Sequence, residues 1–584
     1  INVGFITAKS IAGDIDARNI VAAGVGTFIG AASFSADATI NGITVGKGAN
    51  SVATNTTVGS DALDANTTGS SNSALGKSAL GGNTTGNQNT AVGHEALLSN
   101  TTASYNTGVG YKALNLNTTG AYNVAIGNEA LEANTTTGSN TAVGYKALTA
   151  NTAGDNTAIG YFAMVFNTTG ASNVAVGKNA LSNNTTANEN VAVGHNAMQD
   201  NTTGTSNTAV GRMALGNNTT ASGNTAVGTD ALFTSTTGAN NTALGHSSMF
   251  ANTTGYSNTA VGDSALDANT TGFDNTAIGK DALGSNTTGA TNTAVGHSAL
   301  RDNVTHTNNT AIGYSVLALA TADGNTGVGD KVLQVSTTGS ANTGVGQQAL
   351  RLNTTGSLNT ALGSSALTNN TTASNNTAIG QACLDANTTG AQNTGVGQGA
   401  LGANTTAAYN TAVGYVAMAS NTTGTENTAV GSFALDAITT SSYCTAVGYQ
   451  ALTSNTAAYN TAVGRAALES NTTGENNTAV GLNALTSNTT ASNNVAVGRN
   501  SLVNNTTGER NIAIGNYALD ANTTANDNTA VGQDALGGNT TGAYNTAMGA
   551  YALRVSTSNN NTCVGHNAGY NVSTGSQVTA FGKN

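Results

Sequence analysis

One interval dominates this sequence, because a glycine returns every 17 residues from Gly59 to Gly582, in 32 occurrences. Four intervals contain 16 residues instead, and they end at Gly160, Gly329, Gly464 and Gly565. A unit of this length is too short for a pair of helices, and its Gly, Asn and Thr residues disfavour helix. The period therefore predicts an all-β chain in which residues 51–584 form a parallel β-solenoid of about 32 coils.

The composition indicates a packed chain and excludes several partners. The chain has 584 residues with 74 Gly, no Pro and no Trp; 38% of residues are hydrophobic and 8% are charged. Disordered chains have the opposite balance of apolar and charged residues. The sequence has no basic stripe that would bind nucleic acid and no apolar run of about 18 residues that would cross a membrane. Because Ile1 is not an initiator Met, we expect that an upstream segment was removed or not included.

The repeated unit reads N-T-A-V-G-x-x-A-L-x-x-N-T-T-G-x-x. The residue before the recurring Gly is apolar in all 32 units, as at Val92 and Ile126, and the residue four positions after it is usually Leu or Met, as at Leu97. We expect both positions to point into the coil and to stack as apolar columns, whose burial holds the rod together. With about 4.8 Å for each coil, the rod is roughly 150 Å long.

The second strand position is Ala in 26 units and Gly in four, the latter at Gly108, Gly327, Gly344 and Gly395. Adjacent strand residues point to opposite faces, so this position faces away from the Val column. A larger side chain there would clash with a close neighbour. We expect that neighbour to be another copy of the chain, which predicts a homotrimer; the alternative is a tight bend within a single coil.

The recurring Gly predicts a corner with positive φ or a very close backbone approach. The two Asn of each unit predict stacked amide ladders at the corners. The N-T-T element is also formally a glycosylation sequon, but a structural ladder is the preferred interpretation. All four short units lose a residue after the second Asn, which indicates a surface turn.

No catalytic, cofactor-binding or metal-binding residue is predicted. Five of the six His follow the recurring Gly without occupying adjacent units, so a metal site would require a ring of His across a trimer: His94, His195, His246, His297 and His566. The three Cys are far apart, and we expect small buried or semi-buried fillers at Cys383, Cys444 and Cys563. Tyr recurs in two slots that we expect to be exposed, where it is able to contact sugars.

The two ends depart from the repeat. Residues 1–50 indicate short strands that form a cap over the open end of the solenoid or a connector, and the two roles are compatible. At the other end, Gly569 replaces the Leu and Phe581 replaces the Val. This predicts either a tip domain outside the sequence or a last coil capped by trimerisation.

The unit N-T-A-V-G-x-x-A-L-x-x-N-T-T-G resembles the repeats of tail-fibre-type proteins of tailed bacteriophages and their bacterial relatives. The segments V-G-F-I-T-A, G-V-G-T-F and A-T-I-N-G-I-T-V-G resemble virion fibres of marine, cyanophage-like phages. The unit is also loosely similar to head repeats of trimeric autotransporter adhesins, which implies a left-handed β-roll in a trimer; those repeats are shorter, so the handedness stays open. Fibres of this type often end in a self-cleaving chaperone domain, and the sequence contains none, as expected if it is removed during maturation.

The expected function is therefore a structural fibre of a phage virion that spaces or mediates attachment to the host surface. Its expected partners are its own copies, other virion or surface-anchoring proteins, and a host receptor or glycan. The alternative is a bacterial cell-surface adhesin or an extracellular filament. An ice-binding face would require T-x-T on an exposed strand, whereas the Thr pairs here are adjacent at a turn. No enzyme activity is expected.

Overall fold

A computed structural model describes residues 37–583, and this part of the chain is an all-β parallel solenoid, as the period predicts. It contains 34 short strands and one 3₁₀ helix, at Ala49–Ser51. No helix within residues 37–583 has the length and apolar character needed to cross a membrane. Residues 1–36 of the predicted N-terminal cap or connector lie outside the described residues.

Two strands precede the coils, β1 (Ala38–Ile40) and β2 (Ile43–Gly46). Each coil then contributes one three-residue strand that ends just before the recurring Gly. In chain order these strands are β3 Thr56–Val58, β4 Ser73–Leu75, β5 Thr90–Val92, β6 Thr107–Val109, β7 Val124–Ile126, β8 Thr141–Val143, β9 Thr157–Ile159, β10 Val174–Val176, β11 Val191–Val193, β12 Thr208–Val210, β13 Thr225–Val227, β14 Thr242–Leu244, β15 Thr259–Val261, β16 Thr276–Ile278, β17 Thr293–Val295, β18 Thr310–Ile312, β19 Thr326–Val328, β20 Thr343–Val345, β21 Thr360–Leu362, β22 Thr377–Ile379, β23 Thr394–Val396, β24 Thr411–Val413, β25 Thr428–Val430, β26 Thr445–Val447, β27 Thr461–Val463, β28 Thr478–Val480, β29 Val495–Val497, β30 Ile512–Ile514, β31 Thr529–Val531, β32 Thr546–Met548, β33 Thr562–Val564 and β34 Thr579–Phe581.

The strands form one sheet along the whole rod. β1 and β2 are an antiparallel hairpin, and β2 pairs antiparallel with β3, with Val45 opposite Val58. From β3 to β34 every strand pairs in parallel with the next, and equivalent residues of successive coils lie opposite each other, as Thr90 and Thr107 do. Thirty-two coils at about 4.8 Å each make a rod of roughly 150 Å.

The corners of the coils are also hydrogen-bonded from coil to coil. The Leu97 N–H donates to the Ala113 carbonyl over 2.9 Å, and the Thr101 N–H donates to the Thr118 carbonyl over 3.0 Å. Backbone groups that a tight turn leaves without a local partner are therefore satisfied by the neighbouring coil. This continuity explains how a rod with such short strands keeps its register.

The Leu and Met column points inward, as predicted. Leu97 and Met164 have no exposed surface. The residue at this position adopts a left-handed backbone conformation, with φ of 54° at Leu97 and 52° at Met164. That conformation costs an L-residue roughly 1–2 kcal/mol, whereas burying the side chain contributes about 1.5–3 kcal/mol. Burial therefore outweighs the backbone strain.

The predicted orientation of the strand residues is wrong, because the Ala column is inside the coil and the Val column is outside. Ala91 and Ala142 are fully buried within a single chain, whereas 40% of Ile126 is exposed and Val92 is half-buried. The interior explains the choice of Ala: a Cβ on Gly108 would lie 3.2 Å from the Ala113 carbonyl oxygen and 3.3 Å from Leu97 Cγ. The neighbour that restricts this position is the chain's own coil, so the Ala column does not support a trimer.

Side-chain volumes in the interior compensate from one coil to the next. Val316 occupies a position that is usually Ala, and the strand of the next coil carries Gly327, where an added Cβ would lie 2.5 Å from Val316 Cγ1. The same distance separates an added Cβ on Gly395 from the Cys383 sulfur. Three of the four Gly residues of the Ala column, Gly327, Gly344 and Gly395, thus accommodate a side chain larger than Ala in the preceding coil.

The recurring Gly meets both predicted conditions. Gly93 has a φ of 136°, in a region that L side chains rarely adopt. A Cβ on Gly93 would also lie 2.3 Å from the carbonyl oxygen of Gly110 in the next coil. No other residue satisfies both the dihedral angle and the spacing at this corner.

Candidate functional site

The second Asn of each unit forms a buried amide ladder inside the rod. Asn100 Nδ2 donates to Asn83 Oδ1 in the previous coil over 2.9 Å and to the Ala103 carbonyl of its own coil over 3.0 Å. The first Asn bonds to the main chain instead: the Asn106 N–H donates to Asn89 Oδ1 over 3.0 Å. Both positions are fully buried, so the Asn of each N-T-T element has a structural role and is inaccessible to a glycan in the folded rod.

The amide ladder is interrupted where another residue replaces the second Asn. Ser235 follows Asn218 in the ladder, Ala320 follows Asn303, and Ile438 follows Asn421. In each case the Oδ1 atom of the preceding Asn is buried without a hydrogen-bond partner. These gaps divide the ladder into segments along the rod.

The three Cys are buried and unpaired, which confirms the prediction of small fillers. Cys383 and Cys563 occupy positions where neighbouring coils have Ala, and Cys444 replaces the first Asn. Burial raises the pKa of the Cys383 thiol to about 12. These thiols are therefore poor nucleophiles in the folded chain.

The histidines that follow the recurring Gly lie on the surface and do not assemble with other ligands. His246 Nδ1 lies 3.2 Å from Asp263 Oδ1 in the next coil, and His94 stacks on Tyr111 at 5.6 Å between ring centroids. Among residues 37–583, no group of three or more His, Cys, Asp or Glu side chains is placed to hold a metal ion.

The outer surface of the long sheet is the most extensive candidate site. We call it the Thr–Val face, defined by the first and third residues of strands β3 to β34. The first residue is Thr in 26 of the 32 strands, and the third is Val in 21 and another apolar residue in the rest; neither column contains a charge. The third residue is exposed at several coils, to 48% at Leu75 and 46% at Leu244. The face is thus an uncharged and methyl-rich strip along the rod.

Charged residues of opposite sign border the Thr–Val face. The acidic edge comprises the two positions before the first Asn and contains eight acidic residues and one base: Asp155, Glu189, Asp274, Asp323, Glu426, Glu475, Glu509 and Asp527, with Arg510. The basic edge is the position after the recurring Gly and contains seven bases, five His and two acids. The bases are Lys77, Lys178, Arg212, Lys280, Arg465, Arg499 and Lys583, and the acids are Asp263 and Asp330.

Aromatic residues occupy the same two edges, often in adjacent coils, and the predicted exposure of the Tyr slots is confirmed. Tyr105 stacks on Tyr122 at 4.9 Å between centroids, with 48% and 63% of the side chains exposed. Tyr443 stacks on Tyr459 at 5.3 Å. Such pairs stabilise neighbouring coils and present apolar edges to the surroundings.

Away from the Thr–Val face, the position after the Leu carries several half-buried aspartates. Burial, and to a smaller extent the charge of the nearby Asp534 carboxylate, raise the pKa of Asp520 to about 6. Asp534 itself accepts a hydrogen bond from Arg554 over 2.9 Å. The pKa of Asp385 is also raised by burial. Asp520 thus lies close to a second carboxylate, whose charge is paired with Arg554.

No family model matches the sequence, and a search among curated proteins gives no match.

Sequence reasoning missed the Thr–Val face because it placed the Val column inside the coil. Two signals were present in the sequence. The strand residues before the Ala are almost all Thr or Val, which suits an exposed sheet surface, and the acidic and basic residues separate into different positions on either side of the strand.

Proposed function

We propose that the chain is a non-catalytic structural fibre of a phage virion, which spaces the particle from the host surface or mediates attachment to it. The main support for this proposal is the stack of 32 coils, which extends the chain into a rod of roughly 150 Å. The Asn ladders and coil-to-coil bonds stiffen that rod. The assignment to a virion rests on the resemblance of the repeat to tail-fibre repeats.

The resemblance implies a homotrimer for the proposed fibre. The Thr–Val face, rather than the Ala column, is the surface that supports self-association. Soluble monomers rarely expose apolar patches above about 300–600 Å². Other virion proteins would hold one end of the fibre, and a host receptor or glycan would be bound from its surface. The location that follows is the virion, outside the host cell.

A bacterial cell-surface adhesin or extracellular filament is the second candidate. The exposed aromatic pairs favour it, because Tyr105 and Tyr122 present adhesive apolar edges on the side of the rod rather than at its end. A rod that binds along its side suits a surface layer or filament as well as a fibre.

Labelling with an antibody against the purified chain distinguishes these candidates. Gold particles on fibres of purified virions are the expected result. Label on the envelope of uninfected bacteria would transfer the proposal to the adhesin, and label confined to the cytosol of either cell would contradict both.

A further inference from the structure

We propose that the Thr–Val face binds a second copy of the same chain, parallel to the first and in register with it. This inference rests on the proposed fibre and names the surface, the orientation and the alignment of two chains, where the resemblance implies three. It follows from the area of the face, from its lack of charge and from the separation of charges at its edges.

The area of the face matches what a stable association requires. The strip is roughly 150 Å long, and the Thr and Val columns lie about 7 Å apart, so each chain presents about 1,000 Å². Two such faces bury about 2,000 Å², at the upper end of standard stable interfaces. None of the 64 side chains in the two columns is charged, so burial costs no desolvation of an ion.

The edges determine the relative direction of the chains. When two such faces meet with the rods parallel, the acidic edge of each chain lies beside the basic edge of the other. When the rods are antiparallel, acidic edges meet each other and basic edges meet each other. Like charges in contact disfavour an interface, so the edges select the parallel arrangement.

The positions of the charges along the rod determine the register. Asp274 and Lys280 border the same strand, β16, and therefore lie at the same height. Glu475 precedes β28, while Arg465 and Arg499 follow the strands on either side of it. Three further acidic residues also lie within one coil of a base on the opposite edge: Asp155 near the height of Lys178, Glu189 near Lys178 and Arg212, and Glu509 near Arg499. In total, five of the eight acids have a Lys or Arg of the opposite edge within one coil of their own height.

These edge groups are accessible to a second chain, although several also contact their own. Lys178 and Arg499 lie over Tyr rings of their own chain, and Glu509 accepts a hydrogen bond from Arg510 over 3.1 Å. Lys178, Arg465 and Arg499 are exposed, as are Glu189 and Asp274. Some of the bases already contact their own chain, as Lys280 does through Asp263 at 3.8 Å, but 57% of the Lys280 side chain stays exposed. An exposed contact of that length leaves the ammonium group able to bind a second carboxylate.

Charge reversal tests the pairing of the edges. Reversal of three acids of the acidic edge (Glu189→Lys, Asp274→Lys, Glu475→Lys) leaves that edge with five acids and four bases, so its net charge is nearly neutral. This variant should weaken self-association about tenfold or more, by sedimentation at low salt. Adding the matched reversal of the basic edge (Lys178→Glu, Lys280→Glu, Arg465→Glu) to the same chain should restore it. The control reverses three acids outside both edges, with the same change in net charge and no expected effect: Asp200→Lys, Asp436→Lys and Glu469→Lys. Unchanged association in the first variant, or no recovery in the combined one, overturns the role of the edges.

Energy transfer between labelled chains tests the direction. The native Cys are buried, so Thr102→Cys on an exposed corner accepts a donor or an acceptor dye selectively. Parallel chains in register bring the dyes together and give strong transfer, whereas antiparallel chains separate them by roughly 120 Å and give none. Absence of transfer in an associated sample, or a single-chain mass, refutes the inference. Rods of full length with the mass of one chain would contradict this inference and leave the fibre proposal intact. Compact particles would contradict both the inference and the fibre proposal.

Discussion

The compensation between Val316 and Gly327 gives a sharp test of the interior packing. Gly327→Ala places a Cβ where it would lie 2.5 Å from Val316 Cγ1. Overpacking of this kind costs about 1–3 kcal/mol, and we expect a loss of about 2 kcal/mol. Val316→Ala removes two buried methyl groups and leaves a cavity, which also costs about 2 kcal/mol.

The double variant should recover most of the stability, because it restores the pair of Ala residues found in other coils. Independent effects would add to a loss of about 4 kcal/mol, whereas we expect less than about 1 kcal/mol, a coupling of about 3 kcal/mol. Gly108→Ala is the control: the preceding coil has Ala96 at the position of Val316, and the added Cβ meets its nearest neighbour at 3.2 Å. The expected loss of stability for Gly108→Ala is clearly smaller than that for Gly327→Ala.

Hydrogen exchange measured on peptides from residues 313–346 is the suitable assay. Repeat rods open coil by coil, so a global unfolding midpoint does not report one site, whereas local exchange does. Each single variant should accelerate exchange in these coils, and the double variant should return it close to that of the parent chain. Additive acceleration in the double variant would refute the packing of Ala and Gly inside the coil.

Three further outcomes follow from the structure. Asn184→Ala removes amide hydrogen bonds to both neighbouring coils and should lower the stability of these coils by about 2–3 kcal/mol, measured by hydrogen exchange. Asn218→Ala, at a ladder gap where Oδ1 has no partner, should cost about 1 kcal/mol less, and equal losses would contradict the ladder. A thiol reagent should leave all three Cys, including Cys383, unmodified in the native rod and react with all three in denaturant; reaction with the native rod at the denatured rate would place them at the surface. Burial raises the folded pKa of Asp520 to about 6, above its unfolded value of about 3.9, so the charged form destabilises the fold above about pH 6 and this cost disappears as the pH falls toward 4. Asp520→Asn should therefore stabilise its coils at neutral pH and have no such effect near pH 4. An identical change in stability at both pH values would exclude this titration.

The sequence was sufficient to predict the coil, but not which strand residues face inward. The 17-residue period, the close approach at Gly93 and the buried Leu97 follow from a pattern that each unit repeats. The orientation of Ala91 and Val92 did not follow, because in most sheets the larger apolar residue is the buried one. Here the coil is so narrow that the strand residue beside the Leu is almost always Ala or Gly.

The left-handed conformation of the Leu position was also beyond sequence reasoning. Leu has no intrinsic preference for that region, and the conformation arises from the stacking of whole coils. The Thr–Val face was not predicted because the strand orientation was predicted wrongly. Once the Val column is known to face outward, the uncharged face and its two charged edges can be read directly from the sequence.

Electron microscopy of the purified chain tests the central claim most directly, since that claim is a stack of 32 coils. The account predicts thin, straight rods of roughly 150 Å, with the same length whether one chain or several lie side by side. Compact particles, or rods whose length is far from that of 32 stacked coils, would contradict it.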